Sequence, residues 1–195
     1  MTIAMTAESE SRLARLRLTT AAEHDRLDKR ILAGRPFESR ERYGLFLRVQ
    51  HGFHSRVDGA YRDPALNALI PELAARSRLA EVVQDFADLG MAPDKSPAPP
   101  ALALPEALGW LYVSEGSNLG AAFLLKEAAK LGLSAEFGAR HLAPHPDGRG
   151  LNWRRFKTAV DAIVLSLNDE GRVDDGAQAA FRHVRELVDN ILEEN

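Results

Sequence analysis

Two groups of residues in this chain have the types and spacing for ligand chemistry. His24 lies in Leu18-Thr-Thr-Ala-Ala-Glu-His-Asp-Arg-Leu-Asp28, with Asp28 four positions on. In a helix that spacing puts both side chains on one face. The carboxylate can then hold one ring nitrogen and leave the other free to ligate a metal. The second group is Gly116 and Gly120, four apart inside the apolar stretch from Leu108 to Leu125, with Ser117 and Asn118 between them. Each glycine costs a helix interior about 1 kcal/mol relative to alanine, and two at this spacing bare one strip of backbone. Two readings are open: close packing against a neighbouring helix, or a helix pressed against a flat ligand that side chains would push away. A flat macrocycle needs one axial donor and one side-chain-free wall, which is what these two groups would supply together.

The remaining candidates are thinner. His51 and His54 sit three apart and could share a small ion, and Gln50 lies one turn before His54. No Glu-x-x-His pair occurs, which weighs against a carboxylate di-iron bundle. The His-Glu-x-x-His zinc signature is missing too. His141 and His145 fall in a stretch rich in proline and glycine, and His183 on the last helix; all three read as structural. Ser114 and Ser117 have no evident base partner. No Gly-x-Ser-x-Gly elbow, phosphate-cradling loop or dinucleotide fingerprint is present.

The elements that must position these residues read as helices throughout. Leu13, Leu16, Ala21, Leu27 and Ile31 follow a helical period over residues 8–32, stopped by Gly34-Arg-Pro36. Ser39 is a plausible N-cap for a helix to about Gly59, with Tyr43, Phe46, Leu47, Gln50, Phe53, His54 and Val57 on one face. Asp63-Pro64 opens a short helical piece to Leu69, and Pro71 suits the first turn of a helix to about Leu89. Residues 90–105 hold five prolines and read as a connector. The glycine-bearing helix spans about 105–132. Asn152 caps a helix to about Asn168, and Asp174 or Asp175 starts the last one, ending near Glu193. No useful β-alternation appears. The expectation is an all-α fold in a single domain, 1–195.

Composition narrows the function classes. The 195 residues are 45% apolar and 27% charged, ordinary for a soluble globular chain large enough to bury a core. A net charge of −3 offers no basic excess for nucleic acid. There are no cysteines, so disulfides, thiolate metal sites and a cysteine nucleophile are excluded. Met1 to Glu10 does not read as a signal peptide, and no apolar run approaches the roughly 20 residues of a membrane span. We expect a cytoplasmic protein without a membrane partner.

At this point the residues resemble the heme oxygenases, specifically the compact bacterial branch. The resemblance rests on Gly109-Trp-Leu-Tyr-Val-Ser-Glu-Gly-Ser-Asn-Leu-Gly-Ala-Ala-Phe123, similar to that family's distal-helix motif. It rests also on Leu16-Arg-Leu-Thr-Thr-Ala-Ala-Glu-His-Asp-Arg-Leu27, similar to the proximal helix carrying the axial histidine. It implies His24 as the axial iron ligand with Asp28 as its hydrogen-bond partner. Gly116 and Gly120 would let the distal backbone approach heme, with Ser117 between them against macrocycle or solvent. Arg17 and Tyr112 would meet the heme propionates, and Gln50 and His54 would anchor a distal water network. Heme would be substrate and cofactor at once, opened by O2 to biliverdin, carbon monoxide and ferrous iron. Electrons would come from an external reductase or ferredoxin, since no flavin or nicotinamide fingerprint is evident. Arg17 and Tyr112 would hold the orientation that yields the alpha isomer, and the protein would act as a monomer. Three rivals stand against this: a heme carrier on the same scaffold without turnover, a non-heme helical enzyme, and a plain interaction bundle.

Overall fold

The computed structural model describes residues 11–94 and 99–193. Seven α-helices occupy these residues: α1 (Arg12–Ala33), α2 (Arg40–Arg62), α3 (Pro64–Leu69), α4 (Leu79–Asp88), α5 (Glu106–Ala129), α6 (Arg149–Asp161) and α7 (Leu167–Val188). Short 3-10 turns cover Leu73–Arg76 and Arg140–Leu142, and a π turn continues α7 over Asp189–Glu193. Among the described residues no strand forms; isolated bridges at Ser134 are the whole of the β pairing. The all-α expectation holds. Residues 8–10 of the first expected helix, positions 95–98 of the connector, and Met1–Glu10 with its signal-peptide reading lie outside the described residues.

Local chemistry sets most of the boundaries. Ser11 caps α1 by accepting from the Ala14 amide, and Ser39 caps α2 by accepting from Arg42, each at 3.2 Å. Asp63 accepts from the Ala65 and Leu66 amides at 2.7 and 3.0 Å, with Pro64 at the first position of α3.

Three boundaries differ from the sequence reading. The helix expected from Pro71 to Leu89 is broken, because Glu72 sits at φ 59° and the backbone leaves the helix again at Ser77. There the Ser77 hydroxyl donates to Asp58 Oδ1 at 2.7 Å while Arg76 turns inward, so α4 starts only at Leu79. Asn152 is no cap: α6 begins after Gly148 (φ 85°), Asn152 is buried one turn inside it, and the helix stops at Asp161. The last helix starts at Ser166, whose hydroxyl accepts from the Asp169 amide at 3.2 Å, well before Asp174.

Helix α5 is the axis of the fold, packed on α2, α6 and α7. Gly109 and Gly176 let α5 and α7 cross backbone to backbone. A Cβ at Gly109 would stand 2.8 Å from the Gly176 carbonyl carbon and closer still to Val173 O and Ala177 N; one at Gly176 would stand 2.9 Å from Glu106 Cα. Helix α1 lies on the other flank of α7. Ion pairs Arg12–Glu170 (2.6 Å), Arg15–Asp174 (3.1 Å), Glu23–Arg185 (3.3 Å) and Arg30–Asp189 advance together, so α1 and α7 run the same way. Both α1 and α5 therefore rest on α7, yet they meet each other only sparsely.

Candidate functional site

Where α1 and α5 do meet, the contact is polar. Thr20 and Arg17 of α1 lie close enough to the Tyr112 hydroxyl to act on it. Burial, the largest effect there, raises the Tyr112 pKa, with both neighbours opposing it. Arg17, Thr20 and His24 share a face of α1, and Tyr112, Gly116 and Gly120 share a face of α5. The structure thus brings Arg17 and Tyr112 together, with His24 and Gly116 each one turn further along its own helix.

His24 is presented rather than packed. Its side chain is 61% exposed, Nδ1 lies 3.2 Å from Asp28 Oδ2, and the ring meets Phe181 on α7 edge-on, at 6.2 Å between centroids. With a carboxylate beside Nδ1, Nε2 is the ring nitrogen left open to a metal. Among the described residues no group of three or more His, Asp or Glu side chains could hold a metal ion. A metal that takes His24 must therefore bring most of its own coordination, as a macrocycle-bound ion does.

The glycines of α5 divide into two kinds. Gly109 is consumed by the α7 crossing. A Cβ at Gly120 would meet nothing within 4 Å, and one at Gly116 only Trp153 Cη2, at 4.0 Å. Helix packing accounts for the first and not for the other two, so of the two readings open in the sequence, a wall for a flat ligand is the one the geometry favours. Phe123, 54% exposed and one further turn along that face, adds apolar surface to it. Ser117 stands exposed, its hydroxyl donating to the Ser114 carbonyl at 2.7 Å.

His54 and Gln50 lie on α2. His54 is buried with Nδ1 unpartnered, and its pKa is lowered to about 3, by burial first and then by the nearby His141, Arg78 and His51. Gln50 is half-buried. The neighbours that perturb His54 belong to this cluster rather than to the glycine strip. Sequence reasoning passed over His141 as an ordinary loop histidine. It is buried, with Nδ1 2.7 Å from Asp85 Oδ2, and Asp85 also accepts from the Arg140 and His141 amides at 2.9 and 3.1 Å. His141 Nε2, like His54 Nδ1, has no partner among the described residues. His183 is half-buried against Trp110 at 5.5 Å, and His145 Nδ1 accepts from the Asp147 amide at the surface.

Sequence reasoning also missed the residues behind the glycine strip. Glu115 is buried, accepting from Arg76 Nη1 at 2.7 Å and from the Tyr61 hydroxyl at 2.9 Å; Tyr61 also reaches Ser114 Oγ at 2.8 Å. Burial raises the Glu115 pKa and the Arg76 charge pulls against it. A carboxylate inside so apolar a helix was the available signal, since a buried charge demands a partner.

A presented imidazole on α1 and a bare strip of backbone on α5, on helices that meet through Arg17, Thr20 and Tyr112, fit a helical protein that seats a flat metal macrocycle. The comparisons agree. The heme oxygenase family profile matches residues 11–190. Heme oxygenase PigA of Pseudomonas aeruginosa is 42% identical over 184 residues, 93% of each chain. A heme oxygenase of Xanthomonas campestris is 32% identical over 110 residues, 55% of this chain and 65% of its own. The heme oxygenase of Neisseria meningitidis, solved with NO and CO bound, aligns with a TM-score of 0.90 at 43% identity, over 94% of this chain and 92% of that one. This chain belongs to the heme oxygenase family. Its enzyme class is the conversion of heme to biliverdin.

Proposed function

We propose that the chain opens heme at the alpha meso carbon, using O2 and electrons from an external reductase or ferredoxin, with biliverdin, carbon monoxide and ferrous iron as products. The observation that carries this reading is the pairing of His24 with glycines that nothing in the fold requires. Bound heme would supply the iron at which O2 binds and the carbon that is oxidised. The chain supplies the rest. His24 Nε2 would take the iron while Asp28 holds the tautomer. Gly116 and Gly120 would form the opposite wall, and Ser117, its hydroxyl turned back to its own helix, would leave that wall bare. A neutral imidazole on the iron suits ring opening better than a thiolate, which favours O–O cleavage.

Arg17 and Tyr112 would fix heme's rotation through its propionates, since together they give that end of the site a cation and a hydroxyl. His54 stays neutral across the physiological range, so with Gln50 it can donate and accept hydrogen bonds to ordered water without introducing charge. No helix among the described residues is long and apolar enough to cross a membrane; the reading takes the enzyme as a cytoplasmic monomer, checked by gel filtration of the heme complex.

The test is aerobic turnover of the stoichiometric hemin complex with ascorbate, followed by chromatography of the product. Loss of the Soret band into alpha biliverdin is the expected result. A persistent Soret band would leave a heme carrier, and mainly beta or delta biliverdin would remove the role given to Arg17 and Tyr112.

A further inference from the structure

One guanidinium ties together the two segments that frame Gly116. Glu115 directly precedes Gly116 on α5, and Asn152 directly precedes Trp153 on α6. Arg76, from the 3-10 turn before α4, donates from Nη1 to Glu115 Oε2 at 2.7 Å and from Nη2 to the Asn152 carbonyl at 3.2 Å. Its charged plane lies over Phe156, at 5.7 Å from the ring centroid. The Trp153 indole then reaches across to the glycine strip and packs beside Tyr112, at 6.1 Å between ring centroids, and beside Phe156, at 5.8 Å. Both charged side chains are nearly sealed, at 6% and 1% exposure.

A buried ion pair of this kind adds little stability over apolar residues of the same size, because desolvation offsets the attraction. What a planar, forked donor does supply is geometry. It fixes two acceptors on different helices relative to each other.

We propose that Arg76 is a positioning residue for the substrate pocket. By holding Glu115 to the Asn152 carbonyl it sets the distance between Gly116 and the Trp153 indole, and with it the depth of the pocket and the stance of Tyr112. The proposal rests on the reading of Gly116 as the wall that faces heme. It assigns Tyr61 and Ser114 to the same clamp, since the Tyr61 hydroxyl reaches both the second oxygen of Glu115 and Ser114 Oγ.

The experiment compares wild type with the double variant Arg76→Met/Glu115→Leu, which removes the fork without leaving a lone buried charge. Arg76→Lys, which keeps a cation opposite Glu115 but loses the second arm, is the milder variant should the double not fold. Leu66→Ala, in the α3 core and outside the clamp, controls for general destabilisation. The readouts are apoprotein Tm, the hemin titration, the CO stretching frequency of the ferrous CO complex, and kcat against KM. The clamp variants are expected to keep the His24-dependent Soret band while the CO stretch shifts or broadens and kcat falls about tenfold or more, with KM little changed. Leu66→Ala is expected to lower Tm and leave the CO stretch and kcat alone. A wild-type CO stretch and kcat in the clamp variants, or equal changes in Leu66→Ala, overturns the proposal. Should wild type bind no hemin through His24, the heme reading itself has failed. The clamp is then judged on apoprotein, by whether acrylamide quenching of Trp153 emission in a Trp110→Phe background rises when the fork is removed or stays unchanged.

Discussion

Adding a single methyl group to each glycine of α5 separates packing from function. At Gly109 the new Cβ would stand 2.8 Å from the Gly176 carbonyl carbon and closer to two further backbone atoms of α7. Ordinary carbon contacts begin near 3.5 Å, and backbone cannot step aside as a flexible side chain can, so the helices must separate. Overpacking costs roughly 1–3 kcal/mol, and contacts this close to backbone put Gly109→Ala at the upper end, about 3 kcal/mol; set against a helix-propensity gain of about 1 kcal/mol, the variant should lose about 2 kcal/mol net. At Gly120 the same methyl meets nothing within 4 Å, so only the propensity term remains and Gly120→Ala should gain up to about 1 kcal/mol. For a chain of this size 1 kcal/mol moves Tm by roughly 2–4 °C. Melting of the apoproteins by circular dichroism should therefore place Gly109→Ala about 4–8 °C below wild type and Gly120→Ala about 2–4 °C above it. Gly116→Ala, whose methyl would find only Trp153 at 4.0 Å, should side with Gly120→Ala. With hemin the order reverses in consequence, because the methyls at 116 and 120 would enter the heme face and slow turnover. If Gly120→Ala melts below wild type as Gly109→Ala does, the two central glycines are packing glycines and the assignment of a ligand wall fails.

Other perturbations follow from the same geometry. His54 has its pKa lowered from 6.5 to about 3, so between those pH values the unfolded chain holds a proton that the folded chain lacks, and stability falls as pH drops through the window. At pH 5 this amounts to about 2 kcal/mol, and urea titrations from pH 7 to 5 should show a shallower fall in His54→Gln; equal slopes would refute a buried neutral imidazole. Arg17→Ala/Tyr112→Phe should retain hemin through His24 but release a mixture of biliverdin isomers, and an unchanged alpha product would show that heme rotation is set elsewhere. Asp28→Asn removes an exposed partner of His24, and such pairs contribute only about 0–1 kcal/mol. Apoprotein Tm should hold while the iron–histidine stretch of the ferrous complex falls; a stretch at the wild-type frequency would detach Asp28 from the ligand.

What the sequence made legible is what is written locally. Ser39 and Asp63-Pro64 are capping signals that act within a few residues, and the α2 and α3 starts follow from them. The start of α7 was misplaced because Leu167 is almost fully exposed and the first buried residue is Val173, so the apolar period begins about two turns after the Ser166 cap. The break before α4 was invisible because its cause, Ser77 on Asp58 and Arg76 on Glu115, lies in residues 19 and 39 positions away. The same holds for His141, a loop histidine by sequence and a buried partner of Asp85 at a separation of 56. At the site, the residue types and spacings of His24, Asp28 and the two glycines could be read directly. That Gly109 rather than Gly116 serves the helix crossing could not, because it depends on where α7 lies.

The most direct test of the account is a stoichiometric hemin titration of wild type and His24→Ala, each followed by addition of free imidazole. Wild type should saturate at one equivalent with a Soret band typical of histidine-ligated heme, His24→Ala should lose that band, and imidazole should restore it in the variant by filling the space the side chain leaves. A His24→Ala protein whose heme spectrum matches wild type before imidazole is added would contradict the assignment of His24 as the iron ligand, and with it the pairing of one imidazole and one bare helix on which the account rests.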